Sequence, residues 1–139
     1  MIKSKKLVSL IAVAALASTI LVGCGNSAKE TGLKNGKYEA KSEKDERGYV
    51  ATINIEVKDG KIATVKYDEA KDGKSKLDDA DYNTNMEAKS KTNPIKAYPA
   101  LEASLIEKQD VAAVDTVTGA TNSTDSFKTL AEKALETAK

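Results

Sequence analysis

Tyr49-Val50-Ala51-Thr52-Ile53-Asn54-Ile55-Glu56-Val57-Lys58-Asp59-Gly60-Lys61-Ile62-Ala63-Thr64-Val65-Lys66-Tyr67 is the stretch that decides how this chain folds. In its first half Ala51, Ile53, Ile55 and Val57 alternate with Thr52, Asn54 and Glu56, the period of two that gives a strand one apolar and one polar face. Asp59-Gly60 follows, a dipeptide suited to the two-residue type I′ turn that joins antiparallel strands. In the second half Ile62, Thr64 and Lys66 alternate with Lys61, Ala63, Val65 and Tyr67, so a second strand returns beside the first.

Upstream, Lys37 to Ala40 begins the folded part, with Tyr38 as a candidate inward residue. Downstream, Asp68 to Asn93 is highly polar, and its lysine-rich run from Lys71 to Lys76 reads as a solvated face or one that greets an anionic partner. Tyr82 and Met86 lie four apart, as neighbours on one helix face do; they pack a short helix onto the sheet or stack on a ring. Asn93-Pro94 reads as a break and Pro99 as the first turn of a helix near 99–109, with Leu101, Leu105 and Ile106 inward and Glu102 and Lys108 outward. Val111, Val114 and Val117 suggest a short strand. Asn122 is an expected N-cap, with Asp125 three residues on, for a helix near 123–137 whose apolar face is Phe127, Leu130, Ala131, Ala134 and Leu135. The fold class expected is α+β: an antiparallel sheet seeded by the hairpin, packed with two or three helices.

Composition narrows the function. The chain has 139 residues, enough for one domain, with a formal net charge of +1 and no histidine. With Lys3, Lys5 and Lys6 set apart in the leader, the remainder carries a small net negative charge, which gives no electrostatic case for nucleic acid. Without histidine there is no His-based triad, general base or metal ligand, and a single cysteine excludes an intramolecular disulfide and a Cys-cluster metal site. No catalytic residue and no metal site is expected.

Residues 1–23 read as an export leader. Lys3, Lys5 and Lys6 form a positive start, and Leu7 to Val22 is an apolar run of about sixteen residues, short of the ≈ 20 needed to span a bilayer. Leu21-Val22-Gly23-Cys24 resembles the lipobox of bacterial lipoproteins; the resemblance implies cleavage before Cys24, lipid on Cys24, and a location on the extracytoplasmic face of a cell membrane. Residues 24–35 are small and polar and read as a flexible tether, leaving 36–139 as the domain.

Asp115-Thr116-Val117-Thr118-Gly119-Ala120-Thr121-Asn122-Ser123 stands where the last helix starts, and helix starts attract phosphate through free N–H groups and the helix dipole. Gly119 and Ala120 leave room for a bulky group near the backbone, and Thr118, Thr121 and Ser123 offer hydroxyls. Thr118-Gly119-Ala120-Thr121 after Asp115 resembles the flavinylation motif of the FMN-binding domain family. The hairpin with its Val57-Lys58-Asp59-Gly60-Lys61-Ile62 centre is similar to that domain's opening, and Lys74-Ser75-Lys76, Tyr82-Asn83 and Met86 are similar to a subset found in Gram-positive surface lipoproteins, some of whose leaders release pheromone-like peptides. Respiratory members carry a proline-glycine loop after the second strand, whereas Glu69 to Gly73 has no proline.

The resemblance implies FMN joined to Thr121 through a phosphodiester, attached by a flavin transferase that uses FAD. It implies Thr118, Gly119 and Ala120 around the phosphate, and Asp115 orienting the turn or recognised by the transferase. The function implied is a membrane-anchored electron carrier that meets redox partners in or beyond the membrane. Two other readings are a flavin-free surface lipoprotein or pheromone-peptide precursor, and a module that holds FMN or another phosphate ester without a covalent bond.

Overall fold

The computed structural model describes residues 31–139; the leader, Cys24 and the first part of the tether lie outside the described residues. Four strands form one antiparallel sheet in sequence order, β1 (Gly36–Lys41), β2 (Val50–Lys58), β3 (Lys61–Lys71) and β4 (Lys74–Ser75). Three helices follow, α1 (Ala80–Ser90), α2 (Pro94–Lys108) and α3 (Thr121–Leu135), so the fold is α+β. Asp59 and Gly60 have φ of 53° and 71°, the two positive values that a type I′ turn requires.

Ala51, Ile53, Ile55 and Val57 are all buried, as their alternation implies. The return strand departs from simple alternation. Val57 pairs with Ile62 but Glu56 with Thr64, leaving Ala63 as a bulge. The bulge shifts the phase by one, so Ile62, Val65 and Tyr67 all face the core. Beyond Tyr67 the strand runs to Lys71 and turns through Asp72-Gly73, again with two positive φ values, into β4.

Helix α2 begins five residues before the expected 99–109, because Asn93 caps it by accepting from the Lys96 N–H at 3.0 Å and Pro94 occupies the first turn; Pro99 lies inside the helix. Glu102 is not outward: its Oε1 accepts the Tyr67 N–H at 2.8 Å. Just past the helix, Gln109 Oε1 accepts the Ile62 N–H at 2.7 Å while its Nε2 donates to the Ile62 carbonyl at 2.8 Å. Helix α2 thus covers the edge of β3 that β4 is too short to pair. Tyr67 meets Tyr98 of α2 edge-on at 4.9 Å and Phe127 of α3 at 5.4 Å, tying both helices to the sheet.

The expected strand at Val111–Val117 is absent. Val111 and Val114 are buried, but the Ala113 and Val114 N–H groups close turns onto Asp110 and Val111, since apolar residues three apart suit a coil that winds, not a strand with period two. Thr31 to Asn35, assigned to the tether from sequence, lie along the domain. Thr31 Oγ1 donates to the Gly60 carbonyl at 2.7 Å, and the Lys34 N–H donates to the Ala138 carbonyl at 2.7 Å.

Candidate functional site

Two adjoining hollows open beside the start of α3. The larger, of about 270 Å³, is lined by the β1–β2 loop, including Ser42, Asp45, Arg47 and Tyr49, and by Glu69 and Asn122. The smaller, of about 230 Å³, is lined by Gly119 to Ser123 together with Arg47, Lys76, Tyr82 and Met86. Arg47 and Asn122 line both. Each alone is below the ~300–1,000 Å³ typical of a small-molecule pocket, and together they reach it.

The T-G-A-T segment is held from inside the helix it introduces. Val117 accepts the Ala120 N–H at 2.9 Å, and Gly119 has φ of 83° within that turn. Thr124 is fully buried; its Oγ1 accepts the Val117 N–H at 3.2 Å and donates to the Ala120 carbonyl at 2.9 Å. The N-cap is therefore Ala120, not the expected Asn122, and no side chain caps the helix. Asn122 lies in the first helical turn because Thr124 closes the preceding turn two residues earlier than a cap at Asn122 allows. With the Thr124 N–H already bonded to Ala120, the N–H groups of Thr121, Asn122 and Ser123 have no partner within the helix.

Thr121 is exposed at the lip of the smaller hollow, with Ser123 half-buried beside it. Gly119 and Ala120 form its wall. Thr118 is exposed on the turn outside that lining, and Asp115 stands off it, accepting from Lys108 Nζ at 2.5 Å. The Lys108 hydrogen bond and charge hold the Asp115 carboxyl below its ordinary value.

Beneath the groove lies an ion pair that the sequence reading missed. Lys76, read as part of a solvated face, is 2% exposed, and its Nζ donates to Glu69 Oε2. The Lys76 ammonium also sits 4.2 Å from the ring centre of Tyr49 and 5.0 Å from that of Tyr82. Tyr67 Oη donates to Glu69 Oε1 at 2.8 Å, and Asn83 Nδ2 donates to the Lys76 carbonyl at 2.7 Å. Burial pushes the Glu69 carboxyl up, but the Lys76 hydrogen bond and charge, joined by the Ser123 and Tyr67 hydroxyls, bring it below the ordinary glutamate value. Burial, reinforced by the Glu69 charge, drives the Tyr67 and Tyr98 phenols far above theirs, so both remain protonated. Arg47 is carried by a loop that Asp45 pins, its Oδ1 accepting the N–H groups of Arg47 and Tyr49 at 2.9 and 2.8 Å. The second Asp-Gly pair, at 72–73, is the signal that could have placed Lys76, since a turn there folds Lys76 back toward β3.

This donor set suits a ligand with a phosphate at one end and a flat ring at the other. Free helix N–H groups and Arg47 offer donors to the anion. Tyr49, Tyr82 and Met86 offer an aromatic and polarisable wall. Among the described residues no group of three or more acidic or thiol side chains could hold a metal ion.

Residues 48–136 match the model of a family described as FMN-binding domain, a span that includes the hairpin, the buried pair and the T-G-A-T turn. A 15 kDa lipoprotein of Treponema pallidum (strain Nichols) is 38% identical over 128 residues, covering 90% of this chain and 88% of that one. The crystal structure of CPE2226 protein from Clostridium perfringens is similar with a TM-score of 0.74 and 43% identity, over 76% of this chain and 88% of that one. A solution NMR structure of a protein from Clostridium thermocellum has a TM-score of 0.52 and 27% identity, over 77% and 93% of the respective chains.

Proposed function

This chain belongs to the FMN-binding domain family, and from that premise we propose that it is a lipid-anchored, extracytoplasmic electron carrier whose FMN is esterified to Thr121. The observation that carries the reading is the exposed Thr121 hydroxyl on the first residue of an uncapped helix, at the lip of a groove whose wall includes Arg47. FMN is the cofactor, and its isoalloxazine supplies reversible electron uptake. The chain supplies anchorage, position and electrostatic surroundings.

In the attachment, Thr121 Oγ1 attacks the FMN-side phosphorus of FAD, the pyrophosphate bond breaks, AMP leaves, and the hydroxyl proton passes to a base on the flavin transferase. The Asn122 and Ser123 N–H groups and Arg47 would hold the phosphate, with Gly119 and Ala120 keeping its approach open. Thr118 and Asp115 are exposed outside the hollow, and the transferase would recognise the turn through them.

The lipoprotein reading is supported by the Treponema pallidum relative, whose aligned span is longer than the described residues and so reaches into the first thirty. Residues 1–23 are the signal peptide, and Cys24 takes the lipid; with two or more acyl chains, anchoring is stable, at ≈ 0.8 kcal/mol per buried CH₂. Residues from Cys24 to about Thr31 link that anchor to the domain and give the flavin reach between partners in and beyond the membrane. Expression with a flavin transferase tests the attachment. The purified chain should show flavin fluorescence that stays with its band in a denaturing gel, and Thr121→Ala should lose it. Fluorescence present in the native protein but lost from the denatured band indicates a non-covalent site, and a parent that is dark both before and after denaturation overturns the flavin reading.

A further inference from the structure

We propose, resting on the flavin reading above, that the buried Glu69–Lys76 pair tunes the reduction potential of the cofactor in the groove, Lys76 raising it and Glu69 lowering it.

The pair is placed for this. Lys76 lines the hollow that holds Thr121, and Glu69 lines the adjoining one, so the two charges form part of the floor of a single groove. Both side chains are nearly out of water, at 2% and 9% exposure, where charges act over longer distances and salt screens them weakly. Both are also held in place. Glu69 is fixed by Tyr67 Oη and Lys76; the Lys76 ammonium is flanked by the Tyr49 and Tyr82 rings, and its backbone carbonyl is bound by Asn83.

Stability does not account for such a pair. Burying two charges costs several kcal/mol per ion, and replacing a buried pair with apolar side chains is often neutral or stabilising. An electrostatic role in the groove does account for it. Electrons entering the site make it more negative, so a fixed cation beside it favours the reduced form and a fixed anion opposes it. The pair gives the site two opposed settings held a hydrogen bond apart.

The test is a redox titration, followed by flavin absorbance, on the flavin-carrying fraction of the parent and three variants. Lys76→Gln should move the midpoint to a more negative potential and Glu69→Gln to a more positive one. The double variant should lie below Glu69→Gln, and this comparison isolates the Lys76 charge even where Lys76→Gln alone, with its unpaired carboxylate, fails to fold. A role in packing alone would move the single variants in the same direction or leave both unchanged, and either result overturns the proposal. A parent without flavin overturns the flavin reading and this inference with it, whereas a loaded parent whose variants do not shift overturns this inference alone.

Discussion

Gly119 rests on the carbonyl of Ser90 so closely that a Cβ on Gly119 would lie 2.4 Å from that oxygen, with the Ser90 Cβ and Thr92 Cγ2 each 3.1 Å away. The end of α1 therefore backs the turn that presents Thr121. Small size and positive φ are both required at this one position. Ala120 is a small residue for a different reason: it is the cap and stands in the groove wall.

Gly119→Ala should accordingly do more than perturb a loop. A left-handed residue with a side chain costs about 1–2 kcal/mol, and forcing a carbon into occupied space about 1–3 more. Urea denaturation should show a loss of about 2–5 kcal/mol, and the variant should accept less flavin than the parent at equal transferase. Unchanged stability would mean that the turn is not seated on Ser90.

Thr124→Val keeps the shape of the side chain and removes both of its hydrogen bonds. The Val117 N–H is then left without its partner, at a cost of about 1–3 kcal/mol. The expected result is a lower urea midpoint with an unchanged m-value. Flavin attachment should fall as well, because the turn at Val117 and the helix cap at Ala120 share this one hydroxyl.

Gln109→Leu tests how the sheet edge is closed. Gln109 exchanges two hydrogen bonds with the Ile62 backbone, and leucine leaves a buried N–H and C=O unpaired. A loss of about 2–4 kcal/mol is expected by urea denaturation, with faster hydrogen exchange at Ile62 than in the parent.

The pH dependence has a definite sign. Glu69 has a folded-state value below its ordinary 4.5, so its contribution is complete above that value and is lost as pH falls through the lower folded value. The parent should lose stability between about pH 5 and 2 more steeply than Glu69→Gln. Asp45 and Asp79 are lowered in the same direction chiefly by backbone N–H groups and Asp115 by Lys108, but all three are common to both proteins, so the Glu69 difference remains visible. Parallel curves for the two proteins would contradict the assignment.

The hairpin was legible because alternation and an Asp-Gly turn act over neighbouring residues. The bulge at Ala63 was not, since part of what settles it is a glutamine 47 positions away that meets the shifted Ile62. Asn122 looked like a cap by local rules, and a threonine inside the helix closed the turn instead. Lys76 looked solvated within its lysine run; only the return of β3 to β4 brings Glu69 to it. Tyr82 and Met86 do share a helix face, and that face lines the groove with Thr121. Thr121 was singled out by its motif, which needs no tertiary context.

The carrier function depends on a bond to one oxygen, and peptide mass spectrometry reads it directly. Protein purified from cells that make a flavin transferase, digested and analysed across residues 118–123, should yield a peptide carrying one FMN in phosphodiester linkage, with fragment ions placing it on Thr121. The same peptide recovered only in unmodified form, from cells whose transferase loads another acceptor, would contradict the account.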